Sequence, residues 1–295
     1  METAKPFKTI DEQIDILLDR GLLIPDTEKA KIILSEHNYY RLSGYTLTLR
    51  KNDVFYPGVT FENVLELYFF DMRLRALLFA FLESIEISIR THIGYYYGKD
   101  YGPLGYSDPR NFFPQSKHQE FLDVCAQAVE HSGSEAFIKH HKDKYNGDIP
   151  VWVLVETLSF GVLSRFFKAM PYSVQRQIRK NHYPKVPKSE FIAGWLHSLT
   201  VLRNVCAHRG RLYNRNLAIP VSFAKEDRQS LNEQGVSVAG ASQSVFGYML
   251  CLKRLAHEKG RWKSLLSNIQ KLAKEYPFVL LKHYGFPDEW EMMLK

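Results

Sequence analysis

Cysteine is scarce in this chain of 295 residues, which contains only three. Cys125, Cys206 and Cys251 lie far apart and form neither a C-x-x-C pair nor a spacing used by metal ligands. This pattern excludes a disulfide scaffold and the common zinc motifs. We expect three reduced thiols, no bound metal and no cofactor, with Cys206 serving as a small core residue.

Long apolar runs are also missing. The most apolar stretch, residues 76–82, ends at Glu83 and is far too short to cross a bilayer. The N-terminal residues METAKPFKTIDEQ have no basic start followed by an apolar run, as a secretory signal would have. We therefore expect a soluble, cytoplasmic protein that has no membrane partner.

The usual loop motifs of nucleotide-binding and hydrolytic enzymes are absent as well. The chain contains no Walker-type loop, no G-x-G-x-x-G and no G-x-S-x-G, and its histidines form no H-E-x-x-H pair. What it does contain is an excess of positive charge, with a net charge of +7. A basic balance of this size suits a polyanionic partner without establishing one.

Hydrophobic periodicity predicts an all-α fold. Thr60 is the predicted N-cap of the longest helical pattern, from Phe61 to about Tyr97, and its apolar residues are too many for one narrow stripe. This helix should be buried on more than one side. We expect an N-terminal helical segment at 1–58, a helical core at 59–215, and C-terminal helices at 216–295 that pack on the core.

Three connections interrupt the helical pattern. Residues 45–56 alternate enough to allow either a small hairpin or an extended loop. Residues 98–115 are rich in Gly, Pro, Asp and Tyr, and they are predicted to form a long ordered loop. The segment after Asn214, enriched in Gly, Ser and Gln, is predicted to be an irregular connection.

A second helix has an unusual polar face. It is predicted within residues 189–214, with Ser189 as its N-cap and Gly210 as its stop. The stripe predicted to face the core consists of Phe191, Trp195, Leu199, Leu202 and Cys206. The polar face is predicted to hold His197, Thr200, Asn204, His208 and Arg211. Such residues are typical of phosphate binding, whereas an ordinary polar face is made of Lys, Glu and Gln.

Three charged residues of the long helix allow two interpretations. Glu83, Glu86 and Arg90 lie three and four residues apart, which fits an exposed ion pair that contributes a few tenths of a kcal/mol. Because the surrounding positions are apolar, we favour a partly buried pair close to Arg203 and His208. In that place Glu86 would orient the cation or the imidazole.

The segment LRNVCAHRGRLYNR (202–215) closely resembles the signature of the Abi (abortive infection) family of bacterial phage-resistance proteins. The R-N-x-x-x-H segment of that family is the active-site motif of HEPN ribonucleases. Three other stretches resemble the family in the same order: YYRLSGY (39–45), FENVLELYFFDMRLRALLFAFLESIEISIRTHI (61–93) and WVLVETLSFGVLSRFF (152–167). The resemblance implies a HEPN-like helical bundle with additional N- and C-terminal helices.

The resemblance also implies a metal-independent endoribonuclease that acts in phage defence or as a toxin. Arg203 would stabilise phosphate charge, Asn204 would orient the imidazole or the phosphate, and His208 would transfer protons. Glu86 and Arg90 would be supporting residues of this site. Use of the 2′-hydroxyl as the nucleophile would restrict the activity to RNA. The residues expected to bind RNA are Arg209, Arg211, Arg215 and His197.

Partners follow from the same resemblance. HEPN nucleases commonly dimerise with their motifs facing across a twofold axis, which would bring two copies of His208 into one cleft as base and acid. We expect an RNA substrate, a homodimer, and an antitoxin that is either RNA or protein. The alternative is an RNA-binding or protein-interaction module without turnover, in which the same basic cluster grips phosphate.

Overall fold

The computed structural model describes residues 4–295, and this part of the chain is mostly helical, as predicted. It contains fifteen α-helices and one two-stranded antiparallel hairpin, β1 (Arg50–Lys51) and β2 (Val54–Phe55). The helices are α1 (Ile10–Asp19), α2 (Thr27–Glu36), α3 (Tyr39–Ser43), α4 (Phe61–Tyr101), α5 (His118–His131), α6 (Ala136–Lys144), α7 (Val151–Thr157), α8 (Phe160–Ala169), α9 (Tyr172–His182), α10 (Ser189–Ala207), α11 (Lys225–Glu233), α12 (Val238–Ser242), α13 (Val245–Leu255), α14 (Lys259–Glu275) and α15 (Trp290–Leu294).

The long helix α4 begins where the sequence predicts. The Thr60 hydroxyl accepts a hydrogen bond from the Asn63 amide at 3.2 Å, and the Asn63 side chain accepts one from the Thr60 amide at 3.0 Å. This reciprocal cap satisfies backbone donors at the helix start that have no partner within the helix. The helix continues beyond its predicted end and stops before Gly102, which has a φ of 75°.

Two glycines inside α4 allow a close contact between helices. A Cβ atom at Gly94 would lie 3.1 Å from the Trp152 Cα, and one at Gly98 would lie 3.0 Å from the Trp152 side chain. Because neither glycine has a side chain, α7 packs directly against α4 at this point. Gly98 is therefore a packing residue, and the loop predicted at 98–115 starts later and contains short 3₁₀ turns.

The helix α4 is buried on more than one side, as predicted. It packs against α7, α9, α10 and α14. The C-terminal helices pack back on this body, since the ring of Trp262 in α14 lies 5.4 Å from the ring of Phe81 in α4. Buried apolar side chains extend from Ile14 to Leu294 in one cluster, so the N- and C-terminal helices share a core with α4.

Two of the three predicted connections have more structure than a loop. The small hairpin allowed for residues 45–56 is present as β1 and β2. The segment after Asn214 was predicted to be irregular, yet it contains α11 and α12. The sequence of α11 is polar, and this helix is held by the fully buried Leu231 and by Asp227, which accepts hydrogen bonds from Arg254 at 2.6 and 2.9 Å.

The start of α10 is not capped as predicted. Lys188 occupies the N-cap position, and Ser189 is a buried residue of the first turn whose hydroxyl has no hydrogen-bond partner among the described residues. The predicted core stripe of α10 is buried from Trp195 onward, while Phe191 is only partly buried.

The end of α10 also differs from the prediction, because the helix stops at Ala207, before the predicted stop at Gly210 and before Arg211, which was placed on its polar face. The Gly210 amide donates to the Val205 carbonyl at 2.8 Å, and the Arg209 amide donates to the Cys206 carbonyl at 3.2 Å. These two bonds form a Schellman motif. The left-handed residue that this motif requires is Arg209, with a φ of 57°, and not Gly210. The sequence does not signal this end, since glycine adopts such a φ far more readily than arginine.

A buried carboxylate joins α4 to the chain that leaves α10. Asp71 is fully buried and accepts hydrogen bonds from the Tyr45 hydroxyl at 2.7 Å and from the Arg75 guanidinium one turn further along α4. It also accepts the amides of Leu212 and Tyr213, at 3.2 and 2.9 Å. Burial alone would lower the pKa of Arg75, but the facing Asp71 carboxylate and the Tyr45 hydroxyl raise it overall.

Three histidines from different segments meet beside the far half of α4. The rings of His92 and His182 stack with centroids 3.6 Å apart, and the ring of His257 lies 5.3 Å from that of His92. The Tyr183 hydroxyl lies 3.3 Å from His92 Nδ1, and the Tyr96 hydroxyl lies 3.1 Å from His182 Nε2. Burial, followed by His182 and His257, lowers the pKa of His92 to about 3. Burial also lowers the pKa of both neighbouring histidines.

We expect Asp71→Asn to lower the free energy of unfolding by about 3–5 kcal/mol, because the substitution leaves the buried Arg75 without its counter-charge. Urea denaturation measures the change. Asp53→Asn is the control, since Asp53 forms an exposed ion pair with Arg50, and its cost should stay below about 1 kcal/mol. Equal losses in the two variants would show that the Asp71 network contributes little to the fold.

The histidine cluster predicts a loss of stability in acid. Each ring has a folded-state pKa below its ordinary value of 6.5, so below that pH the unfolded chain binds more protons than the folded chain. The free energy of unfolding should therefore fall as the pH drops from 6.5 towards 3. The variant His92→Phe keeps an aromatic ring but does not titrate, and its denaturation midpoints should fall less steeply over this range. If the midpoint of His92→Phe fell with pH as steeply as that of the unaltered protein, the lowered pKa of His92 would be contradicted.

Candidate functional site

Three of the predicted site residues lie together at the end of α10. Arg203 and Asn204 belong to its last turns, and His208 follows the helix as its C-cap, with its amide donating to the Asn204 carbonyl at 2.9 Å. The side chains of Asn204 and His208 are exposed, while that of Arg203 is half-buried. His208 was predicted to lie on a continuing helical face, but it occupies the position where the helix ends.

A buried carboxylate on α4 holds Arg203. Glu86 is only 7% exposed and accepts a hydrogen bond from Arg90 at 2.6 Å, and its second oxygen lies 3.5 Å from Nε of Arg203. Arg90 also donates to the Leu158 carbonyl at 2.7 Å. The structure thus contains the partly buried pair and not the exposed one, whereas Glu83 stays at the surface. The contact of Glu86 is with the guanidinium of the motif and not with its imidazole.

The Arg203 guanidinium is oriented from other sides too. It lies over the Phe79 ring, with its central carbon 5.7 Å from the ring centroid. Its Nη1 lies 3.5 Å from the side-chain oxygen of Asn204, which is the outer limit of a hydrogen bond. One carboxylate shared by two arginines leaves an excess of positive charge here, and Arg203 keeps donors free for an anion.

The four residues predicted to bind RNA have different environments. Arg211 is used inside the fold, because it donates to the carbonyls of Tyr213 at 2.5 Å and Asn214 at 3.4 Å. Arg215 is exposed and donates to the Arg211 carbonyl at 3.3 Å. The side chains of Arg209 and His197 are exposed. His197 precedes Asn204 on α10 by about 10 Å of helix rise.

Arg41 is a further arginine near the motif, and the sequence did not predict a role for it. Arg41, in the YYRLSGY segment, is exposed and donates to the Arg209 carbonyl at 3.0 Å. Its neighbour Tyr45 binds Asp71, as described above. The segment was noticed only through its resemblance, and no local pattern connects it to residues more than a hundred positions away.

The arrangement offers the groups needed to handle a phosphate diester. An exposed imidazole can move a proton, an amide can hold the imidazole or the phosphate, and a guanidinium can stabilise negative charge. No group of three or more His, Cys, Asp or Glu side chains within residues 4–295 is placed to hold a metal ion. None of the helices in that range combines the length and the apolar character needed to cross a membrane.

Comparison with known proteins identifies one family. Residues 32–214, more than half of the chain, match the family described as Abi-like protein. No curated protein and no solved structure matches the chain. The matched range contains the YYRLSGY segment, α4 and the end of α10, which are the parts that Asp71 and Glu86 connect. The chain therefore belongs to the Abi-like protein family.

Proposed function

We propose that this protein is a metal-independent endoribonuclease of the HEPN type, which acts in abortive infection or as a toxin and is neutralised by an RNA or protein antitoxin. The observation that carries the proposal is the end of α10. There an exposed imidazole and an exposed amide stand beside a guanidinium that Glu86 and Phe79 hold in place. Membership of the Abi-like family supports a role in phage defence.

The chemistry assigns one role to each residue. A histidine base takes the proton of the ribose 2′-hydroxyl, whose oxygen attacks the neighbouring phosphorus. The bond from phosphorus to the 5′-oxygen breaks, and a protonated histidine supplies the proton that this oxygen takes up. Arg203 stabilises the charge on the phosphorane-like transition state, and Asn204 holds either the imidazole or the phosphate. The products are a 2′,3′-cyclic phosphate and a 5′-hydroxyl.

Two proton transfers need two histidines, and the motif supplies one per chain. We infer that a second copy of the protein contributes the other His208 across a twofold axis. An exposed surface of α4, the helix whose Glu86 contacts Arg203, supports this arrangement, and we call it the exposed α4 stripe. Its residues recur at steps of three or four: Ala80, Glu83, Ile87, Thr91 and Tyr95. Ile87 and Tyr95 are 55% and 63% exposed, so both side chains are accessible to a second copy.

The purified protein should cleave labelled single-stranded RNA in the presence of EDTA and leave cyclic-phosphate and 5′-hydroxyl ends. The variant His208→Ala should lose activity by a factor of roughly a hundred to ten thousand, because it removes the proton-transfer group. RNA binding by this variant should survive, since Arg203 remains in place. His131→Ala, at an exposed position at the end of α5, is the control and should keep full activity.

A different result would favour the alternative function. If no RNA is cleaved but RNA binds tightly and in a salt-sensitive way, the same residues form a binding module without turnover. Cleavage that leaves a 3′-hydroxyl and a 5′-phosphate would contradict the proposed mechanism, because attack by the ribose 2′-hydroxyl cannot produce these ends.

The dimer is tested separately through the exposed α4 stripe. The variant Ile87→Glu places a carboxylate in both copies of a self-complementary contact, so we expect it to be monomeric and nearly inactive. Light scattering coupled to size exclusion measures the mass, and the cleavage assay measures the rate. Ile32→Glu, at a position on α2 that is 61% exposed, should remain dimeric and active. A stable monomer that cleaves RNA at full rate would refute the composite site.

A further inference from the structure

A groove beside the motif has no part in the chemistry above. It has a volume of about 710 Å³ and follows α4 between the end of α2 and the end of α10. We call it the α4–α10 groove and define it by Tyr68, Met72, Ala76 and Phe79 on its floor and by Arg41 and Arg209 on its rim. The four floor residues span about 16 Å of helix rise, which exceeds the length of one nucleotide.

The floor of the groove suits a planar apolar group. Met72 is 42% exposed, and Phe79 is half-buried. A thioether and an aromatic ring are good partners for a nucleobase, and such contacts tolerate any base. Since the Arg203 guanidinium lies over the Phe79 ring, the groove ends at the motif itself.

The rim of the groove carries positive charge. Arg41 and Arg209 both line the groove, and the Arg41 guanidinium uses one donor to bind the Arg209 carbonyl at 3.0 Å. An arginine has five N–H donors, so both side chains keep donors for a phosphate. Glu36 is the only acidic side chain among the described residues that line the groove.

The backbone conformation of Arg209 is unusual for an arginine, since its φ is 57°. Five non-glycine residues in residues 4–295 have a positive φ, and the other four are Asn or Asp, which tolerate this conformation. Arginine is a poor choice for the left-handed position of a Schellman motif, where glycine is strongly preferred. The fold alone does not account for an arginine at this point, whereas a ligand that needs its guanidinium does.

We propose that the α4–α10 groove binds the nucleotide of a single-stranded RNA that adjoins the cleaved bond. The base packs on Met72 and Phe79, and its phosphate lies between Arg41 and Arg209. This inference rests on the proposed function for the identity of the strand, and it adds a binding subsite to the cleavage site. The groove sets affinity, while His208 sets the rate of the chemical step.

The test uses fluorescent RNA oligonucleotides with 2′-O-methyl groups, which cannot be cleaved because they lack the nucleophile. Two variants alter the groove: Ala76→Glu places a carboxylate on its floor, and Arg209→Gly removes one rim charge. Each should weaken binding about tenfold, Arg209→Gly because it loses one good phosphate contact and Ala76→Glu because its carboxylate repels the anionic strand. Arg209→Gly should also reduce the slope of the logarithm of the binding constant against the logarithm of the salt concentration by about 1. The matched controls, Ala239→Glu on α12 and Arg228→Ala on α11, are at exposed positions outside the groove and should bind as the unaltered protein does.

Thermal unfolding separates a ligand-binding role from a structural one. Arg209→Gly relieves the left-handed strain, so its melting temperature should rise while its affinity falls. A variant that loses both stability and affinity would show that the arginine serves the fold, and the proposal would be overturned. The Ala76→Glu variant should raise KM on cleavable RNA and leave kcat within about twofold, in contrast to His208→Ala.

The outcomes for the groove and for the nuclease are distinguishable. If the unaltered protein cleaves RNA and both groove variants bind like the controls, the groove proposal fails and the nuclease proposal stands. If the unaltered protein cleaves nothing but the groove variants bind the oligonucleotides more weakly than the controls, the nuclease proposal fails and the groove remains an RNA-binding site. If the unaltered protein neither cleaves RNA nor binds any oligonucleotide, both proposals fail.

Discussion

The burial of the Asp71 carboxylate is the constraint on which the arrangement around the motif depends. An ionised carboxylate is costly to remove from water unless donors surround it. Its donors come from three places: the Tyr45 hydroxyl, the Arg75 guanidinium, and the amides of Leu212 and Tyr213. These groups can meet only if the YYRLSGY segment and the chain after α10 both pack on α4. The motif is therefore placed by a polar network and not by apolar packing alone.

Glu86 is a second carboxylate on the same helix, and its effect is local. It shares its two oxygens between Arg90 and Arg203, which converts a flexible side chain of the motif into an oriented one. Both acids lie on α4, and each holds an arginine close to the site where a phosphate is expected. Asp71 thus holds the buried Arg75, and Glu86 orients the half-buried Arg203 of the motif.

Features that follow from neighbouring residues were predicted from the sequence. The cap at Thr60, the two-sided burial of α4 and the pairing of Glu86 with Arg90 all depend on spacings of three or four residues. A position of this pair close to Arg203 was expected because the surrounding residues of α4 are apolar, and the contact between Glu86 and Arg203 is present. The helical class was confirmed, since apolar periodicity is a strong signal for long helices.

The remaining features depend on contacts that no local pattern encodes. The role of Asp71 requires partners up to 142 positions away, and a single aspartate inside an apolar helix gives no sign of them. The end of α10 was placed too late because an arginine occupies the left-handed position, and so Arg211 was assigned to a helical face when it binds backbone carbonyls. Gly98 was placed in the loop predicted at 98–115, although it belongs to α4 and is the point where Trp152 approaches most closely.

The uninterrupted length of α4 has a mechanical consequence. Asp71, Phe79, Glu86 and His92 are all carried by this one helix, which has no break between its cap and Gly102. A regular α-helix is stiff along its axis, since every turn is bonded to the next. If α4 slides or rotates, Asp71, the floor of the groove and His92 must therefore move together, and the stacking of His92 on His182 changes with them.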